Sequence, residues 1–156
     1  MFMYDVFKIV NWLRVKNNAE LRQSDYAEVL TQMKAMKLLY YIQGVSLAYL
    51  NKKMFPNDIV AWKYGPAVAE VHAKYSGRRE ILGEITNSDI KDYNELSRDA
   101  EASEVLNAVW EAYGDMSASQ LMRKTHTESP WKDTEQSKVI TEDKMKEYFS
   151  KIVSEE

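Results

Sequence analysis

The sequence predicts a mainly α-helical fold, a compact single-domain bundle of about six to seven helices with room for a small β-hairpin near residues 53–62. Three observations carry that expectation. Apolar residues recur at i, i+3, i+4 and i+7 in several separate segments, the spacing that gathers them on one face of a helix. Ser, Thr or Asp stands where those segments begin, supplying acceptors for the first-turn N–H groups that have no intrahelical partner. The length of 156 residues, with 45% hydrophobic and 29% charged side chains, suits one ordinary core and lies far from the composition of disordered chains. One domain over residues 1–156 is expected, since no internal repeat and no Gly/Pro-rich linker divides it.

Asp5 can cap a first helix over residues 6–16, whose inner face is Val6, Ile9, Val10 and Leu13. The polar stretch from Asn17 to Leu30 reads as a linker with space for a short extra helix. Thr31 caps a long apolar run from Met33 to Leu50, the central helix, on which Met33, Met36, Leu39, Tyr40 and Leu47 form a core stripe. From Asn51 to Trp62 the pattern turns short and irregular around Pro56, and a hairpin fits there. Pro66 suits a first helical turn, giving a helix over 67–75 that ends near Gly77. Residues 78–97 read as loop and short helix, because Gly83 and Thr86-Asn87-Ser88-Asp89 interrupt any long element. Ala102, Val105, Leu106, Val109, Trp110 and Tyr113 then mark an amphipathic helix stopped by Gly114 as a left-handed cap. Ser117 and Gln120 have capping-box spacing, with Met116 and Leu121 as a staple, so a helix starts at Ala118 and ends by Pro130. Thr141 caps a last helix with Met145, Tyr148, Phe149 and Ile152 inward, and the acidic tail after Ser154 frays.

Composition excludes several functions. A net charge of -3 argues against broad nucleic-acid binding, which needs many phosphate-neutralising cations. The chain has no cysteine, hence no disulfide, thiolate zinc site or cysteine nucleophile, and a reducing cytoplasmic setting is expected. The start Met1-Phe2-Met3-Tyr4-Asp5 has no secretory character, and no run reaches the ~18–20 apolar residues of a membrane span, so no membrane partner is expected.

Catalytic motifs are missing as well. His126-Thr127-Glu128 matches the H-x-E of zinc deaminases only superficially, because that chemistry also needs cysteine ligands. His72 has no second histidine four residues on, and Gly65, Gly77 and Gly83 do not follow phosphate-loop spacing. No catalytic, cofactor-binding or metal-binding residue is expected. His126 either caps the end of its helix or joins Glu128 and Trp131 in a surface pocket. Trp62 suits the core, whereas Tyr64, ahead of the Gly65-Pro66 pair, is as readily an exposed partner anchor.

Taken in order, Lys37-Leu38-Leu39-Tyr40-Tyr41-Ile42-Gln43-Gly44, Phe55 to Pro66 with its Trp62-x-Tyr64-Gly65-Pro66 element, Tyr113 to Leu121, and His126-x-Glu128-x-Pro130-Trp131 resemble the Panacea domain of phage-associated proteins and SocA-like antitoxins. The resemblance implies a non-enzymatic domain that neutralises a cognate toxin encoded nearby, with Tyr64, Gly65, Pro66, His126, Glu128 and Trp131 as the candidate partner-binding residues. It leaves room for a narrower role as an adaptor to a ClpXP-type protease. The DNA-binding module that some antitoxins carry is not seen, so autoregulation of transcription is not expected. Two alternatives stand beside it: a phage accessory protein that binds a host factor, and a hydrolase or transferase using His126 and Glu128 as an acid–base pair.

Overall fold

A computed structural model describes residues 3–154. The elements run α1 (Val6–Gln23), α2 (Gln32–Leu50), β1 (Ile59–Trp62), β2 (Gly65–Ala67), α3 (Ala69–Lys74), α4 (Asn87–Arg98), α5 (Ala100–Tyr113), α6 (Ala118–His126), α7 (Ser129–Lys132), β3 (Val139–Ile140) and α8 (Glu142–Ser154). The fold is mainly helical, as the sequence predicts, with a small antiparallel sheet of strand order β2-β1-β3.

The central helix is α2. Its side chains are buried nearly all round, the pattern of a helix enclosed by others, and α1, α3, α5, α6, α8 and β2 all pack against it. Thr31 caps it by accepting from the Lys34 N–H at 3.2 Å. Gln43, buried within it, donates to the Phe55 carbonyl at 2.7 Å and accepts from the Met54 N–H at 2.7 Å, so one amide fixes the segment that leads to β1. Gly44 lets α8 approach, since a Cβ there would lie 2.2 Å from the Phe149 ring.

Several expectations need correction. The first helix runs on to Gln23, because tertiary partners hold its polar last turns: Asn17 is buried and bridges Glu28 O and Leu30 N, and Glu20 accepts from the Trp110 indole at 3.1 Å. The hairpin lies over residues 59–67, later than expected. Pro66 sits in edge strand β2 opposite Ala61, where a missing N–H is tolerated, and the following helix starts only at Ala69. Residues 87–98 form a full helix, α4. The Thr86–Asp89 cluster that reads as an interruption is its capping box, and buried Arg14 of α1 pairs with Asp89 at 3.1 Å while donating to the carbonyls of Ile81, Leu82 and Glu84. Gly114 is right-handed at φ -62°, so the left-handed cap expected there does not form. The caps of α6 and α8 stand where the sequence puts them, at Ser117 with Gln120 and at Thr141. The acidic tail beyond Ser154 lies outside the described residues.

Candidate functional site

Three segments that stand out in the sequence meet in space: the first half of α2, the β1–β2 hairpin and the α6–α7 junction. Lys37, Tyr40 and Tyr41 follow one another at i, i+3 and i+4, so they share one side of α2. The two tyrosines converge on one neighbour, and Lys37 goes elsewhere.

Tyr40 and Tyr41 reach Glu128, the residue between α6 and α7. Both hydroxyls donate to Glu128 Oε1 at 3.1 Å, and Tyr148 of α8 stands near enough to feel the Glu128 charge. Lys124 Nζ, partly in solvent, lies 3.5 Å from Oε2. Burial raises the Glu128 carboxyl above its ordinary value, and Lys124 and the tyrosine hydroxyls oppose that rise. Burial and the Glu128 charge push all three phenols up, so they stay protonated donors at neutral pH. A buried carboxylate is costly unless its oxygens are bonded and its charge is met, and here both conditions hold.

The hairpin is tied to the same junction. Trp131 Nε1 donates to the Trp62 carbonyl at 2.8 Å, and the His126 ring stacks on Trp131 with centroids 4.0 Å apart and planes at 10°. Burial and the nearby Lys37 charge lower the His126 pKa, opposed by the Lys63 backbone, and Nε2 is buried without a hydrogen-bond partner. Gly65 adopts φ 113°, and a Cβ there would stand 2.7 Å from Lys37 Cε and 3.0 Å from Thr125 Oγ1. The turn can therefore lie directly on Lys37 only because this residue is glycine.

Beneath the turn is a pocket of about 370 Å³, walled by Met33, Met36 and Trp62, floored by Lys37 and edged by Tyr64 and His72. Lys37 is 2% exposed, and burial alone pushes its ammonium down to about 8. Among the described residues it has neither a hydrogen bond nor an ion pair. His72, on α3, has its Nδ1 bonded to Gln32 Oε1 and its ring edge-on to Trp62 at 5.2 Å. A larger pocket of about 450 Å³ lies between α1 and the α5–α6 turn, but its buried Lys34 already donates to the Gly114 carbonyl at 2.6 Å.

Of the six residues read from the sequence as partner contacts, Tyr64 is 54% exposed, whereas Gly65, Pro66 and Glu128 are buried and His126 and Trp131 partly so. The structure brings all six to one end of the molecule, around the hairpin and the α6–α7 junction, with one side chain projecting freely. No hydrogen bond joins His126 to Glu128, whose oxygens face the tyrosines, so an acid–base pair is not assembled. Among the described residues, no group of three or more His, Asp and Glu could hold a metal ion, and no helix is long and apolar enough to cross a membrane. Sequence reasoning missed Lys37 as a site residue. The available signal was a cation flanked by Met36 and Leu38 in a helical run that is otherwise apolar beyond Lys34 as far as Ile42.

The family model described as "Antitoxin SocA-like, Panacea domain" matches residues 36–132, more than half of the chain and a span that includes Lys37, the hairpin and the α6–α7 junction. No curated protein and no solved structure matches.

Proposed function

The chain belongs to the SocA-like antitoxin family defined by the Panacea domain, and from that membership we propose that it neutralises a cognate toxin by direct protein–protein contact, using the face built from the 62–66 hairpin and the 126–131 segment. The observation that supports this reading is the exposed Tyr64 ring, held on a turn whose base is anchored by Gly65 over Lys37 and by the Trp131–Trp62 hydrogen bond. Protein interfaces draw most of their energy from a few such aromatic anchors, and an anchor on a rigid base loses little conformational freedom on binding. His126 and Trp131 serve the contact by holding the turn, Glu128 by fixing the α6–α7 junction they stand on, and Tyr64 touches the partner. No substrate is turned over in this reading.

Co-expression with the product of the adjacent gene tests it. Relief of toxicity together with a co-purifying complex is the expected result, and Tyr64→Ala should weaken both while leaving the fold intact. Failure of the wild-type chain to form a complex or relieve toxicity overturns the antitoxin reading. Enrichment of a host protein in place of the neighbour would favour the host-factor alternative.

A further inference from the structure

We propose that the pocket beneath the β1–β2 turn is a carboxylate-binding subsite, in which Lys37 receives an acidic side chain carried on an inserting loop of the protein partner. The source of the carboxylate rests on the antitoxin reading above. The pocket itself stands on geometry.

Lys37 is the first argument. A buried ammonium without a counter-charge is among the most costly arrangements in a protein interior, and buried charges are as a rule paired or hydrogen-bonded. Elsewhere in this chain the rule is kept: buried Lys34 has the Gly114 carbonyl, and buried Arg14 has Asp89 and three backbone carbonyls. Lys37 is more deeply buried than either, has no such partner among the described residues, and lies on the wall of an open pocket. An incoming anion is what completes it.

The pocket lining says which anion. None of its residues is acidic, and the titratable groups facing it are Lys63 and Tyr64 from the turn and His72 from α3, with His126 of α6 close enough to feel the Lys37 charge. None of these is a carboxylate. Met33, Met36 and Trp62 make the walls apolar, so an ion pair formed inside is weakly screened. A volume of about 370 Å³ exceeds what a bare ion needs and suits a carboxylate on an apolar stem. The exposed Tyr64 at the mouth favours delivery by a protein surface, because aromatic rims of this kind are typical of partner contacts.

Two measurements on the full chain decide the matter. In the first, sodium phenylacetate is titrated into protein labelled at lysine Cε, with phenylacetamide as the uncharged control. The Lys37 signal should shift with the acid and not the amide, its titration midpoint should rise on binding, and Lys37→Met should abolish binding. No shift at saturating phenylacetate overturns the subsite. In the second, the complex with the adjacent gene product is measured for wild type and Lys37→Met. A loss of about thirtyfold or more in affinity is expected for removing one partner of a buried ion pair.

Equal affinity of both proteins overturns the partner carboxylate even if phenylacetate binds, and leaves the antitoxin reading standing. No complex with the wild type overturns the antitoxin reading and the protein source together, while the phenylacetate result still judges the pocket. If Lys37→Met fails to fold, the wild-type Lys37 signal is followed instead as the toxin is added. A raised titration midpoint supports the subsite and an unchanged one overturns it.

Discussion

Around Glu128 the chain packs two bonded tyrosine hydroxyls, a third tyrosine and a lysine against one buried carboxylate, while Lys37, one turn before two of those tyrosines on α2, ends in a pocket with no bonded partner among the described residues. Both groups lie at the same depth, each 2% exposed. Partnering separates them. The Glu128 cluster has nothing left to offer a ligand, and its role is to lock α2, α6, α7 and α8 together. Lys37 contributes nothing to that lock, and among the described residues its ammonium has no bonded partner and borders the pocket. The satisfied charge is architectural, and the one open to the pocket is where the proposed carboxylate would bind.

Removing the carboxylate should break that contrast most visibly. Glu128→Ala leaves the buried Tyr40 and Tyr41 hydroxyls without their acceptor and should cost about 3 kcal/mol or more, lowering Tm by about 6–12 °C. A thermal melt checks this, and a change of under about 1 kcal/mol would show that the cluster is no lock. Gly65→Ala comes next, since its φ of 113° strains any side chain and the new Cβ meets Lys37 and Thr125. A loss of about 2–3 kcal/mol in urea unfolding is expected.

Lys37→Met should move stability the other way. The ammonium is depressed from 10.5 to about 8 in the folded chain, so between those values the unfolded state holds the proton more tightly, and below about 8 the folded state bears the whole cost of a buried charge. The variant should therefore gain about 1–3 kcal/mol over wild type at pH 7, with the gain shrinking as pH rises through about 8 towards 10.5. Paired unfolding curves at several pH values measure it, and a pH-independent difference would refute the assignment. Tyr64→Ala should change stability least, within about 0.5 kcal/mol, while weakening the toxin complex.

Much of this architecture is legible in the sequence. The caps at Thr31, Ser117 and Thr141 sit where side-chain chemistry predicts, because a cap is local and depends on a few neighbouring residues. The start of α4 obeys the same chemistry yet is easily passed over, for Thr86 and Asp89 form a capping box within a stretch whose composition reads as loop. The last turns of α1 are illegible for a different reason: Asn17 and Glu20 are held by residues 28, 30 and 110, contacts with no local trace. Pro66 suits both a helix start and an edge strand, and what decides between them is β1 pairing on its other side with the two-residue strand β3. The aromatic motifs pick out the hairpin and the α6–α7 junction, which meet in space. They cannot show that Glu128 turns inward or that Lys37 is left alone, since pairing across 87 or more residues is a property of the fold.

The close contact of α8 with α2 across Gly44 has a practical side. The stretch shared with other family members stops at residue 132, yet Phe149 and Tyr148, both beyond it, close the tyrosine cluster, and β3 completes the sheet from outside as well. The matched span thus leaves out residues that pack on its own central helix. A fragment trimmed to the recognisable stretch would expose the seam of its own central helix and should collapse or aggregate during expression.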